Sequence, residues 1–108
     1  MIRKVRFRFK ADEDMQRIYA WISQSSATGA ERWFTALQET VDRLAVNAMH
    51  HGYAAENRQF DFELRQCFFK TSKGRRYRIL YIVDGNEVQI LRIRGPGQPP
   101  VTKHTIGY

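Results

Sequence analysis

The amino-acid sequence predicts an α+β domain of order β-α-α-β-β-β: a twisted, mainly antiparallel sheet with a helical hairpin packed on one face. Three observations predict it. Apolar residues alternate with basic ones near the start, recur at helical spacing from Met15 to Ala48, and return to strand-like runs from Glu63 onward. The 108 residues have room for one such domain, spanning residues 1–108, and for a single core.

Val5, Phe7 and Phe9 alternate with Arg6, Arg8 and Lys10, the period of a half-buried strand, and the pattern stops at Ala11. Asp12, Glu13 and Asp14 then place negative charge where a helix N-terminus favours it. Met15, Ile18, Tyr19 and Ile22 form one apolar face of that first helix. Ser23–Gly29 is polar and rich in helix breakers, which predicts a turn, and Thr28 with Glu31 has capping-box spacing for a second helix. The stripe Ala30, Trp33, Phe34, Leu37, Val41, Leu44 and Ala48 makes this the longest helix. So short a connection folds the pair into an antiparallel hairpin.

Periodicity is lost from His50 to Phe62, with Gly52 a plausible helix exit. Glu63–Lys70, Arg76–Asp84 and Glu87–Arg94 then read as an antiparallel meander, with turns at Thr71–Gly74 and Asp84-Gly85-Asn86. The tail Gly95-Pro96-Gly97-Gln98-Pro99-Pro100 continues neither helix nor central strand, because proline lacks the amide donor. The partner of the first strand is not readable from composition.

A composition 43% hydrophobic and 27% charged excludes a disordered chain. No apolar run is long enough to span a bilayer, and the opening MIRKVRFRFK lacks the hydrophobic stretch of a signal peptide, so a cytoplasmic protein without membrane association is expected. A single cysteine, Cys67, excludes an internal disulfide and the cysteine-rich zinc patterns. In a strand with Phe68 and Phe69 it reads as a small buried hydrophobe. His50 and His51 lack metal-ligand spacing, so neither metal nor cofactor is expected. Trp21 and Trp33, both on helices, read as core or interface residues.

The net charge is +7, and its distribution is uneven. Residues 1–10 carry five basic groups and no acid, residues 11–62 four basic and eight acidic, and residues 63–108 nine basic and three acidic. Such segregation suits an acidic or polyanionic partner for one side of the molecule. By strand period Arg76 and Arg78 share one face, Tyr77, Ile79 and Tyr81 the other, and Arg92 and Arg94 again share a face. Together with Lys73, Arg75 and Lys103 they form a candidate nucleic-acid or partner-binding set; the alternative is a solvated basic sheet face.

The order of elements, a helical hairpin before a three-strand meander, resembles that of the RelE/ParE toxin superfamily, and so do the residues. The helix sequence A-D-E-D-M-Q-R-I-Y-A-W-I from Ala11, the A-x-x-W-F-x-x-L and R-L-A pieces of the second helix, H-G-Y-A-A-E (His51–Glu56) and the paired strands of Gly74–Arg94 are all similar to family segments, in order, over roughly nine-tenths of the chain. The resemblance implies the toxin of a type II toxin–antitoxin (plasmid stabilisation) module, neutralised in a hetero-oligomer with a cognate antitoxin protein. ParE-like members inhibit DNA gyrase without catalysis; RelE-like members cut mRNA on the ribosome. In the RelE-like case it implies catalytic roles for Arg78 and Arg94, with His104 as a plausible base and Tyr108 as the C-terminal tyrosine. Residues 95–100 stand where RelE-like chains begin a basic cluster, which favours the ParE-like branch. A degenerate, non-toxic member is the third reading.

Overall fold

The computed structural model describes all residues 1–108 and follows the expected order. It comprises β1 (Lys4–Phe7), α1 (Phe9–Ser25), α2 (Ala27–Asn47), β2 (Arg65–Phe69), β3 (Tyr77–Asp84) and β4 (Glu87–Arg94), with short 3-10 turns at Ala48–His50 and Ala55–Gln59. No helix is long and apolar enough to cross a membrane.

The first strand is shorter than its alternation suggests. Its last ladder bond runs from the Arg8 amide to the Ile90 carbonyl, and the backbone then turns at once into α1. Phe9 therefore lies in the first turn of the helix and is 72% exposed rather than packed in a strand. The buried face of α1 is Ala11, Asp14 and Ile18. Ala11, with no exposure at all, lets the helix approach the sheet closely.

The expected turn over Ser23–Gly29 shrinks to one residue. Ser26 ends α1 by donating its amide to the Ile22 carbonyl, and begins α2 by accepting the Gly29 amide on its Oγ at 2.8 Å. The cap is thus Ser26, not Thr28, and satisfies one of the free amides at the helix start. Glycine suits position 29, since a Cβ there would stand 3.0 Å from the Ser26 hydroxyl. Glu31, expected in a capping box, instead accepts a hydrogen bond from the Tyr19 hydroxyl at 2.5 Å and ties the two helices together. The predicted exit at Gly52 is also displaced: α2 ends at Asn47 and tightens into the turn at Ala48–His50.

The sheet order is β1-β4-β3-β2. The meander is antiparallel, and β1 joins it parallel to β4, with Val5 opposite Val88 and Phe7 opposite Ile90. Gly85 takes positive φ at the first central position of the β3–β4 turn, where glycine bears no steric penalty. Register slips once: Leu80 pairs with Arg92 and Tyr81 with Ile90, leaving Leu91 without a partner across the strand. The bulge changes the parity of β4, so Val88, Ile90 and Ile93 all reach the helical side.

On that side Trp33, Leu37 and Leu44 of α2 pack on Phe69, Tyr77, Ile79, Tyr81 and Ile90. The Trp33 ring meets Tyr77 and Phe69 at centroid distances of 5.6 and 5.8 Å. Cys67 lies in the same core, where burial pushes its thiol up to about 12, so it behaves as a hydrophobe. The opposite face is not the open basic surface expected from the strand pattern. Leu80, Ile82 and Leu91 are covered there by Ala54 and Leu64 and by Val101 and Ile106 of the tail.

Where β1 ends, β4 has a free edge, and Asp14 of α1 fills it. Its carboxylate accepts the Ile93 amide at 2.9 Å and the Arg92 guanidinium in bidentate fashion at 2.8 and 3.0 Å. Arg17 donates to it as well, at 3.0 Å. Burial raises the pKa of this carboxyl, but hydrogen bonds from Arg92 and Ile93, the Arg92 charge and Arg17 outweigh burial and hold it below its ordinary value. Asp14→Ala should cost roughly 3–5 kcal/mol in urea unfolding, because it strips a largely buried arginine of its counter-charge and leaves a strand amide unpaired. A loss under about 1 kcal/mol, the usual value of a surface pair, would show that the contact is not structural.

Candidate basic surface

The candidate residues fall into separate groups. Arg78 and Arg94 face each other across β3 and β4. Arg92 lies further along β4, at the Asp14 edge. Lys73, Arg75 and Arg76 occupy the exposed segment before β3. Lys103, His104 and Tyr108 belong to the tail and are exposed.

The strand arginines are engaged within the molecule. Arg78 makes a bidentate pair with Glu56, both contacts at 2.7 Å, and also donates to Gln66. Arg92 joins Asp14 to the carbonyl of Thr105, and Arg94 donates to the carbonyl of Pro99. Glu56 in turn accepts the Val101 amide at 3.1 Å. These contacts hold the tail against the sheet, and Val101 and Ile106 seal it with apolar contacts. Proline and glycine stop the tail from extending β4, so side chains replace the missing backbone ladder.

Arg94 differs from its neighbours. It is 8% exposed, has no carboxylate partner, and its Nε has no hydrogen-bond acceptor. Burial, then the Arg92 charge, opposed by Asp14 but joined by Arg78, pushes its pKa below the ordinary arginine value. Arg76 lies over Phe68, with its guanidinium carbon 4.1 Å from the ring centroid, so a half-exposed aromatic ring and a cation share the surface.

The tail groups stand elsewhere. The Tyr108 ring packs on Phe62 at 4.7 Å, with Arg8 5.3 Å from its centroid. It borders a depression with Ile82 and Gly85, the hairpin end of the sheet, whereas Arg78 and Arg94 lie at the other end. Four residues of strand, about 13 Å, separate Arg78 from Ile82. The His104 amide donates to the Thr102 hydroxyl in an exposed turn. Tyr108 is therefore not brought together with Arg78 and Arg94.

Two residues that position the arginines escape a search of the sequence for basic groups. Asp14 reads as one of three acids at a helix start, but its place between Ala11 and Ile18 on the apolar stripe marks a buried acid in need of a cation. Glu56 lies in an aperiodic stretch and leaves no periodic signal.

The fold has counterparts among solved structures. The chromosomal ParDE TA system from P. aeruginosa contains a chain that superposes with a TM-score of 0.65 at 22% identity, over 87% of this chain and 96% of that one. The toxin–antitoxin complex RelBE2 from Mycobacterium tuberculosis gives a TM-score of 0.47 at 21% identity, over 88% and 99% of the two chains. No curated protein matches by sequence. The model of the family described as ParE toxin of type II toxin-antitoxin system, parDE, matches residues 5–98, and the chain belongs to that family.

The Glu56 contacts lower its pKa from the ordinary 4.5 to about 2; the Arg78 hydrogen bonds outweigh burial, aided by backbone amides and the Arg78 charge. A depressed folded-state pKa contributes stability above the unfolded value and loses it on acidification. Stability should therefore fall between about pH 4.5 and pH 2, by on the order of 3 kcal/mol. Glu56→Gln should remove most of that dependence; unfolding curves with the same acid slope as the wild type would assign the slope to other carboxylates.

Proposed function

We propose that this toxin is neutralised by direct binding of a cognate antitoxin protein and acts by binding DNA gyrase, without cutting RNA. Membership in the ParE family supports the first part, as does an excess of seven positive charges on the chain, which favours rapid capture of an acidic partner. One observation carries the second. Arg78, the strand arginine that RNA cleavage would use, is bound bidentately to Glu56, and Tyr108 lies toward the other end of the sheet. A guanidinium already neutralised by a carboxylate is poorly placed to stabilise charge on a phosphate.

The purified chain in excess should block gyrase-driven supercoiling and leave mRNA on translating ribosomes intact. Codon-positioned cuts with unimpaired supercoiling would reverse the assignment in favour of the RelE-like reading, where Arg94, lacking a carboxylate partner, would be the group to test first. Normal growth on expression without antitoxin, with neither effect in vitro, would mark a degenerate member.

A further inference from the structure

Two depressions adjoin at the end of the sheet where β3 begins and β4 ends. One, of about 260 Å³, is walled by Ile18, Trp21, Tyr77 and Pro96. The other, of about 360 Å³, is walled by Phe68, Arg75, Arg76 and Arg94. Arg75, Gly95, Pro96 and Gln98 border both, so they are two halves of one concavity, apolar on one side and cationic on the other.

The charges there are not balanced. Arg17 and Arg78 also border the concavity, but Asp14 and Glu56 compensate them. Arg75, Arg76 and Arg94 have no carboxylate partner, and no acid lines either half. Arg94 presents the sharpest deficit, being more than nine-tenths buried with its Nε unpaired. A buried cation without a counter-charge is costly, and an oxyanion that entered the cationic half would offset the Arg94 charge that lines it. On the apolar side, Trp21 is 65% exposed on a helix whose residues Met15, Ile18, Tyr19 and Ile22 pack inward. Together with Tyr77 it lines the apolar half of the concavity.

We propose that this concavity takes an acidic peptide segment of the partner protein. A large apolar side chain sits against Trp21 and Tyr77, and neighbouring carboxylates sit on Arg75, Arg76 and Arg94. The proposal rests on the antitoxin reading above and gives that partner its chemistry. A peptide fits better than nucleic acid because the unpaired arginines converge on one depression instead of tracking a backbone path. The apolar half, at about 260 Å³, suits a single large side chain.

The test uses the full chain and two labelled peptides of equal charge. One is glutamate-rich with a central pair of leucines; the other has glycines in their place. The leucine peptide should bind at least about tenfold more tightly, the scale of losing one well-packed anchor. Trp21→Ala should erase that preference, and Arg75→Glu with Arg76→Glu should weaken both peptides about tenfold or more. All three residues are exposed, so the variants should keep the wild-type unfolding midpoint, which is measured alongside. Equal binding of the two peptides, or unchanged binding to the charge-reversed chain, would overturn the proposal. So would oligothymidylate displacing the leucine peptide more effectively than unlabelled peptide does.

A separate arm keeps the two readings apart. An antitoxin that holds the wild type and the charge-reversed chain equally tightly overturns the concavity alone. Failure of any antitoxin to hold the wild type overturns the toxin–antitoxin reading itself.

Discussion

The fold depends on a carboxylate that takes the place of a strand. β1 covers only the first part of β4, and beyond Ile90 the edge would present an amide to no partner. Asp14 reaches across from α1, accepts the Ile93 amide and clasps the adjacent Arg92. One side chain thus closes the sheet edge, fixes the helix against it and compensates a largely buried cation. Without it each of the three would be left open, and an unpaired buried group costs more than its bond contributes.

Glu56 repeats the arrangement on the other face. It too combines a bidentate arginine with a backbone amide, Arg78 with Val101, and so attaches a segment that proline prevents from joining the sheet. The strand arginines are consequently unlike one another despite their similar spacing. Those met by Asp14 and Glu56 are structural ties, while Arg94, opposite Arg78, has only carbonyl contact and carries its charge into the surface depression. A row of like residues has been divided by what the loops and the first helix bring to them.

The elements are legible where a period runs long enough to read. The apolar stripe of α2 and the strands β3 and β4 follow from spacing alone, and β4 has the predicted bounds. The errors fall at junctions. Phe9 continues the strand alternation but enters a helix, and Ser26 caps α2 although Thr28 has the better local pattern. At the first, the bond from Arg8 to Ile90 of β4 ends the strand, a contact that a local window cannot see; at the second, Ser26 serves as the end of α1 and the start of α2 at once. The second apolar face is hidden for a related reason. Leu80, Ile82 and Leu91 show that β3 and β4 are apolar on both sides, but their cover comes from aperiodic residues such as Ala54 and Val101. Arginine spacing places the basic groups along the strands; their pairing depends on Asp14 and Glu56, which lie far away in sequence.

The parallel pairing of the first strand with the last also sets an order of events. The helical hairpin and the β3–β4 turn join near neighbours and can form as soon as they are synthesised, but β1 has no ladder until β4 exists. Closing that contact carries the entropy of nearly the whole chain, so it is a late step in folding. A nascent copy therefore carries an unmatched strand through the synthesis of both helices and the meander, and completes its sheet only once β4 has emerged.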